Sequence, residues 1–553
     1  MMMRVGKIWW GGVLLTAVPL FFLAIFFFYP LLHIMRQTLS WEAVVAVGTR
    51  PYFRQVIWFT WWQALVSTGL TLLVGLPPAY LFARYTFPGR GLLKALTTVP
   101  FVMPTVVVAA AFRALLGNQG LVNGVSTAVW GADAPQLQLE QTLTMILLAH
   151  VFYNVAIVIR LVGGFWSHLN PRLVEAARMM GASRWRAFRE ITLPLLRPSL
   201  ISASILIFLF TFTSFGVILL LGGPAFSTIE TEIYRQYVSF LRADVAALLA
   251  LVQIGFTFLV MVVYGRWQRR SAVALELHPE LLNRKRPSTW GERTAVLLVM
   301  AGLFLFLVLP LLALVYQSFT GRDGQLTLAY YQALPAFRRG SVVYVAPLTA
   351  VRNSIGYGLL TVLLAGALGL MTAVALARPW RGRSWLDPIF MLPLGASAVT
   401  LGFGYVVTFS TLRTSAWLVL IAHTLVAFPF VVRSLLPVMQ GISPNLREAA
   451  AVLGASPGRV WREVDLPIVG RALLVAAVFA FTVSMGEFGA TSFIVRPNSG
   501  FTTMPIVIER LLSTPGGALN YGQAMAMSVI LMAVSVTGFM AIERFRYGDV
   551  GEF

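Results

Sequence analysis

Twelve stretches of this chain are apolar for about the length that a membrane crossing requires. They lie near residues 8–31, 57–83, 94–117, 142–166, 199–222 and 245–265. After a polar stretch at 266–294 they resume near 295–318, 354–377, 388–410, 416–438, 471–494 and 522–542. A membrane helix needs about 20 mainly apolar residues, so the pattern predicts an all-α polytopic membrane protein with about 12 transmembrane helices, six and six. The first stretch follows Arg4 and Lys7 and has no small-residue cleavage site behind it. It therefore reads as a retained span, not a removed signal peptide.

Composition agrees with the pattern. Of 553 residues, 58% are hydrophobic and only 11% charged, against about 25% charged in a soluble domain. The absence of cysteine excludes disulfides, c-type haem attachment and thiolate-held iron–sulfur clusters. A formal charge of +21 raises the question of nucleic acid, and the positions of the charges answer it. With a cytoplasmic N-terminus, the loops at 84–94, 167–198, 266–294, 378–387 and 439–471 are cytoplasmic, as is the C-terminal tail. Together with Arg160 and Arg433 at the cytoplasmic ends of their spans, these regions hold 29 of the 42 Lys and Arg residues. That is the positive-inside bias of a membrane protein. No nucleic-acid partner is expected, since there is no basic soluble domain to carry one.

The most informative feature is an internal repeat. Residues 175–194 (Glu175-Ala176-Ala177 to Leu193-Pro194) and 448–467 (Glu448-Ala449-Ala450 to Leu466-Pro467) match at 11 of 20 positions with an offset of 273. The same offset pairs His150 with His423, Arg160 with Arg433, and Phe215-Gly216 with Phe488-Gly489. Further upstream Ala83-Arg84 pairs with Ala377-Arg378, a drift attributed mainly to an extra polar stretch around 118–141. The chain thus reads as a duplicated, fused unit: a first six-span half at 1–270 (core about 57–265), a cytoplasmic linker at 271–294, and a second half at 295–553 (core about 350–542). Six spans separate the two motifs, so both face the same side, and the repeat is parallel with its axis along the membrane normal.

Each repeated loop carries helix punctuation. Asn170-Pro171 and Ser443-Pro444 place a capping side chain before a proline at the first helical position. Gly181 and Gly454 permit the left-handed conformation that ends a helix. Ser183 and Ser456 are placed to cap a second short helix, and Pro194 and Pro467 mark the approach to the next span. Met179, Met180, Trp185 and Phe188, with Val452, Leu453 and Trp461, are expected as apolar tips outside the bilayer, suited to a partner's groove. An amphipathic helix on the lipid headgroups is the plainer reading, but it gives no reason to repeat Glu-Ala-Ala and Gly-Ala-Ser.

These residues resemble the EAA loop of ABC-importer permeases, the binding-protein-dependent type I class. Two copies in one chain resemble the fused permeases of ferric-iron and thiamine uptake systems, as do the runs Leu148–Asn154 and Thr228–Tyr234. The resemblance implies a MetI-like permease fold in a bacterial cytoplasmic (inner) membrane. It also implies that Glu175, Ala176, Ala177 and Gly181, with Glu448, Ala449, Ala450 and Gly454, dock on ATPase subunits. The expected partners are two copies of an ABC ATPase, an extracytoplasmic solute-binding protein and the lipid bilayer; no cofactor is expected. The chain has no Gly-x-x-x-x-Gly-Lys-[Ser/Thr] phosphate loop, so it is read as a channel subunit, with ATP hydrolysis on another chain.

Ionisable groups inside a membrane are functional candidates by default. Glu487 is the clearest, and its repeat mate is Ser214. Two readings stand side by side: a pathway carboxylate that attracts a cation or steadies a gate, and an interhelical hydrogen bond or a pair with an arginine. Gly-Glu-Phe-Gly runs of this kind also occur in related permeases for anions, which argues against cation selectivity. Tyr153, Asn154, Thr211 and Thr213 are the other pathway candidates. His150 and His423 read as structural residues, and no metal site is expected. The segments 226–236 and 499–510 correspond and suit either a lip for a solute receptor or ordinary loop packing.

The leading function is the permease subunit of an ATP-driven importer, with ferric iron the first choice of solute and thiamine the second, both from resemblance. An ion-gradient-driven 12-helix secondary transporter is the alternative, weakened by the single clear intramembrane carboxylate. No metal cluster or nucleophile–base arrangement supports a membrane enzyme.

Overall fold

A computed structural model describes residues 10–38, 40–131, 133–271, 284–321, 324–338, 342–377, 383–412, 415–496, 499–514 and 517–546. Eleven helices are long and apolar enough to cross a membrane, and a bent pair makes a twelfth. In chain order they are α1 (Leu15–Arg36), α2 (Pro51–Arg84), α3 (Thr105–Trp130), α4 (Leu143–Ser167), α5 (Arg184–Phe212) and α6 (Ala243–Trp267). The second set is α7 (Trp290–Ser318), α8 (Pro347–Ala377), α9 (Trp385–Gly395 with Ala398–Thr408), α10 (Ala416–Gly441), α11 (Pro457–Gly486) and α12 (Gly517–Ala541). Among the described residues there is no strand, only two isolated bridges. All twelve predicted spans are present. Arg4, Lys7 and residues 272–283 of the expected linker lie outside the described residues.

Four spans depart from the simple rods that hydropathy predicts, and the departures obey the repeat. The stretch 94–117 is broken: short helices at Arg90–Leu96 and Val99–Val102 precede α3, which starts only after Pro104. The stretch 388–410 turns by 92° between Gly395 and Ala398. Pro100 and Pro104, and Pro388 and Pro393, remove backbone donors at these places. The stretches 199–222 and 471–494 are also broken. α5 ends at Phe212 and α11 at Gly486, and the chain restarts as Gly216–Leu221 and Gly489–Ile494. Hydropathy misses such breaks because the residues on both sides stay apolar.

Each half packs through the same contacts. α2, α4 and α5 form one group, and α8, α10 and α11 the other. In the first, Gly75 of α2 lets Val158 of α4 approach so closely that an added Cβ would lie 2.7 Å away. In the second, Gly369 and Val431 repeat this at 2.4 Å. Small residues of this kind bring membrane helices together where lipid supplies no hydrophobic drive. The halves also interlock. α1 packs on α8 and α9 of the second half, with Pro30 and Ile34 lying over Gly404 of α9, while α7 packs on α3 and places its Phe306 ring 6.0 Å from Phe152 of α4.

The extra polar stretch at 118–141 is partly helical, Leu121–Trp130. Asn123 organises it, donating to the carbonyls of Gly117 and Leu137 and accepting from Leu137 N.

Candidate functional site

The two halves enclose a cavity of about 400 Å³. Its boundary comes from the breaks after α5 and α11. Phe215 and Phe488, repeat mates that follow those breaks, stack with ring centroids 5.3 Å apart and planes 26° apart. Backbone closeness requires the glycine after each ring. A Cβ on Gly216 would lie 2.4 Å from Thr105 Oγ1, and one on Gly489 would lie 3.0 Å from the Ala398 Cβ.

Behind each ring stands a histidine. His150 on α4 is held between two hydroxyls, Nδ1 at 3.0 Å from Ser67 Oγ and Nε2 at 2.9 Å from Ser214 Oγ. His423 on α10 repeats this with Nδ1 at 2.7 Å from Ser484 Oγ and Nε2 at 3.0 Å from Thr491 Oγ1. Here the halves diverge. Glu487 stands where the first half has Ser214. It accepts from Ala490 N at 2.7 Å, from Thr491 N at 3.1 Å and from the Thr491 hydroxyl, and lies 3.4 Å from His423 Nε2. It thus caps the short helix 489–494, and the partner beside it is a histidine where an arginine was the expected alternative.

Glu487, Ser214, Tyr153, Asn154 and Thr213 all line the cavity. Tyr153 donates to the Met103 carbonyl at 2.9 Å, and Asn154 to the His150 carbonyl at 2.9 Å. Thr211 is not in the lining. It is fully buried, donates to the carbonyls of Ile207 and Phe208, and its own carbonyl receives Gln63 Nε2 at 2.9 Å.

Sequence reasoning missed Glu230. Its carboxylate is fully buried, lines the same cavity, and accepts from Gln253 Nε2 and from Ser397 Oγ, each at 3.0 Å. The signal was present in the charged alternation of 226–236, for which a receptor lip and ordinary loop packing were the two readings, neither of them a cavity wall. That segment is instead the helix Ile229–Val238, capped by Thr228 and Thr231, with Glu230 and Glu232 turned inward. The cavity is therefore acidic: Glu230 and Glu487 line it, and among the described residues no Lys or Arg does. The rest of its wall is largely apolar and includes the rings of Phe210, Phe430, Phe479 and Phe539. Among the described residues no group of three or more His, Asp or Glu is placed to hold a metal ion.

The repeated loops lie at the far ends of α5 and α11. The helices Pro171–Met179 and Pro444–Val452 end in matching turns, with Gly181 at φ +89° and Gly454 at φ +83°. Ala182 N bonds to the Ala177 carbonyl and Ala455 N to the Ala450 carbonyl, each at 3.0 Å, the six-to-one bond of a Schellman ending. Glu175, Ala176, Glu448 and Ala449 are exposed, with Ala177 and Ala450 partly so. Met179, Met180, Val452 and Leu453 are all at least 87% exposed and Trp185 is 70% exposed.

Three details differ from expectation. Phe188 and Trp461 are not free tips: Phe188 stacks between Trp166 and Trp185, and Trp461 packs on the second-half core. The second short helix of each loop is the head of α5 or α11, joined through a π-helical turn at 188–192 or 461–465. That wider turn accommodates the missing donors of Pro194 and Pro467 without ending the helix. Finally, the Ser443 and Ser456 side chains make no capping bond, whereas Asn170 accepts from Arg172 N at 3.0 Å and Ser183 from Arg186 N at 3.2 Å.

Comparison with known proteins gives this geometry a family. The model for "binding-protein-dependent transport system inner membrane component" matches twice, over residues 72–273 and 365–546. The thiamine transport system permease protein ThiP of Escherichia coli is 26% identical, covering 90% of each chain, and that of Brucella abortus is 25% identical over 88% of each. A probable ABC transporter permease of Sinorhizobium fredii is 25% identical over 98% of this chain and 97% of its own. Among solved structures, a bacterial ABC transporter involved in the import of alginate matches 48% of this chain and 96% of its own. The TM-score is 0.40, at 20% identity. The chain belongs to the binding-protein-dependent inner membrane permeases of ABC importers, with the family domain present twice in one polypeptide.

Proposed function

We propose that this permease imports an organic cation of the thiamine class, delivered by an extracytoplasmic binding protein and driven by two copies of a separate ABC ATPase. The observation that carries the solute reading is the cavity: in a chain of formal charge +21, it presents the Glu230 carboxylate, with Glu487 engaged in capping, and, among the described residues, no Lys or Arg. Its phenylalanine rings suit a flat organic cation, through cation–π attraction and apolar contact. A bare metal ion calls instead for several converging oxygen or nitrogen ligands. The similarity to thiamine permeases, which covers 88–90% of each chain, supports the same reading, so thiamine replaces ferric iron as the first choice. Family membership sets aside the ion-gradient transporter.

Under this reading the Glu175 and Glu448 loops are the ATPase docking helices. The charge distribution supports a cytoplasmic position for them and for both termini. The halves 1–270 and 295–553 then act as one gate: drawing the loops together on ATP binding moves α5 and α11, whose outer breaks carry Phe215 and Phe488.

The test is uptake into proteoliposomes containing the permease, its ATPase and its binding protein. ATP-dependent accumulation of radiolabelled thiamine, without accumulation of ferric iron, is expected. ATP-dependent uptake of iron and none of thiamine would reverse the solute reading.

A further inference from the structure

We infer that Glu230 is a specificity-determining residue whose carboxylate receives the positive charge of the solute, an inference that rests on the cationic-solute reading above. The two cavity carboxylates differ in what already holds them. Glu487 is occupied by two backbone N–H groups, the Thr491 hydroxyl and the neighbouring His423 ring. Its charge is committed to capping the chain that carries Phe488. Glu230 has two neutral donors, one from each half of the molecule: Gln253 on α6 and Ser397 at the bend of α9.

Ser397 explains how a buried carboxylate is tolerated there. It is the N-cap of the helix Ala398–Thr408 and accepts from Thr400 N at 3.0 Å. Glu230 therefore lies at the positive end of an 11-residue helix. A helix terminus supplies roughly half a unit of opposite charge and no more. Two neutral hydrogen bonds and a half-charge leave the ionised carboxylate short of a counter-charge inside a poorly solvated wall, and burial pushes its pKa up to about 8. No salt bridge to it occurs among the described residues. A cation in the cavity completes that balance, and the surrounding rings add contact area without competing charge.

The repeat supports an assignment to cargo. Thr228 and Thr503 occupy the position before the first residue of equivalent helices, Ile229–Val238 and Met504–Ser513. In that register Pro505 stands where Glu230 does. A residue needed merely to build the helix would be expected in both halves; a single positive charge on the solute needs one acceptor.

The experiment uses the full chain reconstituted with its ATPase and thiamine-loaded binding protein, with radiolabelled thiamine as the probe. Glu230→Gln keeps the side-chain shape and removes the charge, and is expected to slow uptake at least tenfold. Glu230→Asp keeps the charge and is expected to retain most of the uptake. Because Glu230→Gln also removes a buried contact between the halves, a relocation pair serves as control. Glu230→Ser combined with Ser397→Asp moves the carboxylate across the same hydrogen bond, and is expected to import faster than Glu230→Ser alone. Wild-type uptake by Glu230→Gln, or a double variant no better than Glu230→Ser, would overturn the inference while leaving the thiamine reading intact. A wild-type protein that imports no thiamine would overturn the functional reading, and this inference with it.

Discussion

Phe215 and Phe488 lie 273 residues apart in sequence and ring against ring in space, with centroids 5.3 Å apart. Each follows the point where a long helix stops, so the contact joins the two halves at matching positions. An aromatic pair contributes about 0.5–1.5 kcal/mol beyond area burial, enough to seal a gate and little enough to break in each cycle. Replacing both by alanine is expected to leave the fold intact and open a leak. Passive efflux of solute from loaded proteoliposomes, without ATP, should rise well above that of the wild type.

Gly216 is predicted to be intolerant of even one added carbon. A Cβ there meets Thr105 Oγ1 at 2.4 Å and Phe488 at 3.2 Å. Overpacking typically costs about 1–3 kcal/mol, so Gly216→Ala should lower the thermal midpoint of the purified protein. Thr105→Ala should recover part of the loss. Gly124, with nothing within 4 Å of its built Cβ, is the control and should accept alanine with little change.

The proposed docking loops offer a test on exposed residues. Charge reversal of Glu175 and Glu448 together is predicted to abolish co-purification of the ATPase and solute-stimulated ATP hydrolysis, while the permease still folds. The loops are not equivalent. Arg447 pairs with the nearly buried Asp465 at 2.7 Å, where the first half has Val174 and Thr192. Asp465→Asn should therefore loosen the second loop selectively, seen as faster proteolysis near residue 454 than near residue 181.

Glu487 is expected to behave as a structural cap. Glu487→Gln places an amide among groups that are already donors, and hydrogen bonds to a charged group contribute about 1.5–3 kcal/mol. The thermal midpoint should fall clearly, and by more than for Ser214→Ala at the repeat-related position. A Glu487→Gln variant as stable as wild type would remove the capping role.

Much of this architecture was legible in the sequence because its causes are local. Apolar runs mark spans, and the glycine in each Glu-Ala-Ala loop marks a left-handed turn that Gly181 and Gly454 both adopt. The offset of 273 also paired Phe215 with Phe488, though only the fold shows that their rings stack. What was not legible depends on three-dimensional company. Glu230 sits in a segment whose charge alternation looks like surface, and only the fold reveals that Gln253 and Ser397 receive it inside. Thr211 looks like a pathway hydroxyl, yet it is fully buried with its hydroxyl bonded back to the carbonyls of Ile207 and Phe208, while its neighbours Thr213 and Ser214 line the cavity. The 92° bend of α9 was hidden because both its arms are apolar.

The central claim is that solute passes between the halves through the cavity closed by Phe215 and Phe488. The chain contains no cysteine, so a Phe215→Cys, Phe488→Cys double variant can be cross-linked by a short bifunctional reagent without background. The direct measurement is ATP-driven thiamine uptake by this variant in proteoliposomes, before cross-linking, after it, and after cleaving the link. Uptake that stops on cross-linking and returns on cleavage is the predicted result. Uptake that continues unchanged with the two positions held together would place the path elsewhere and contradict the account.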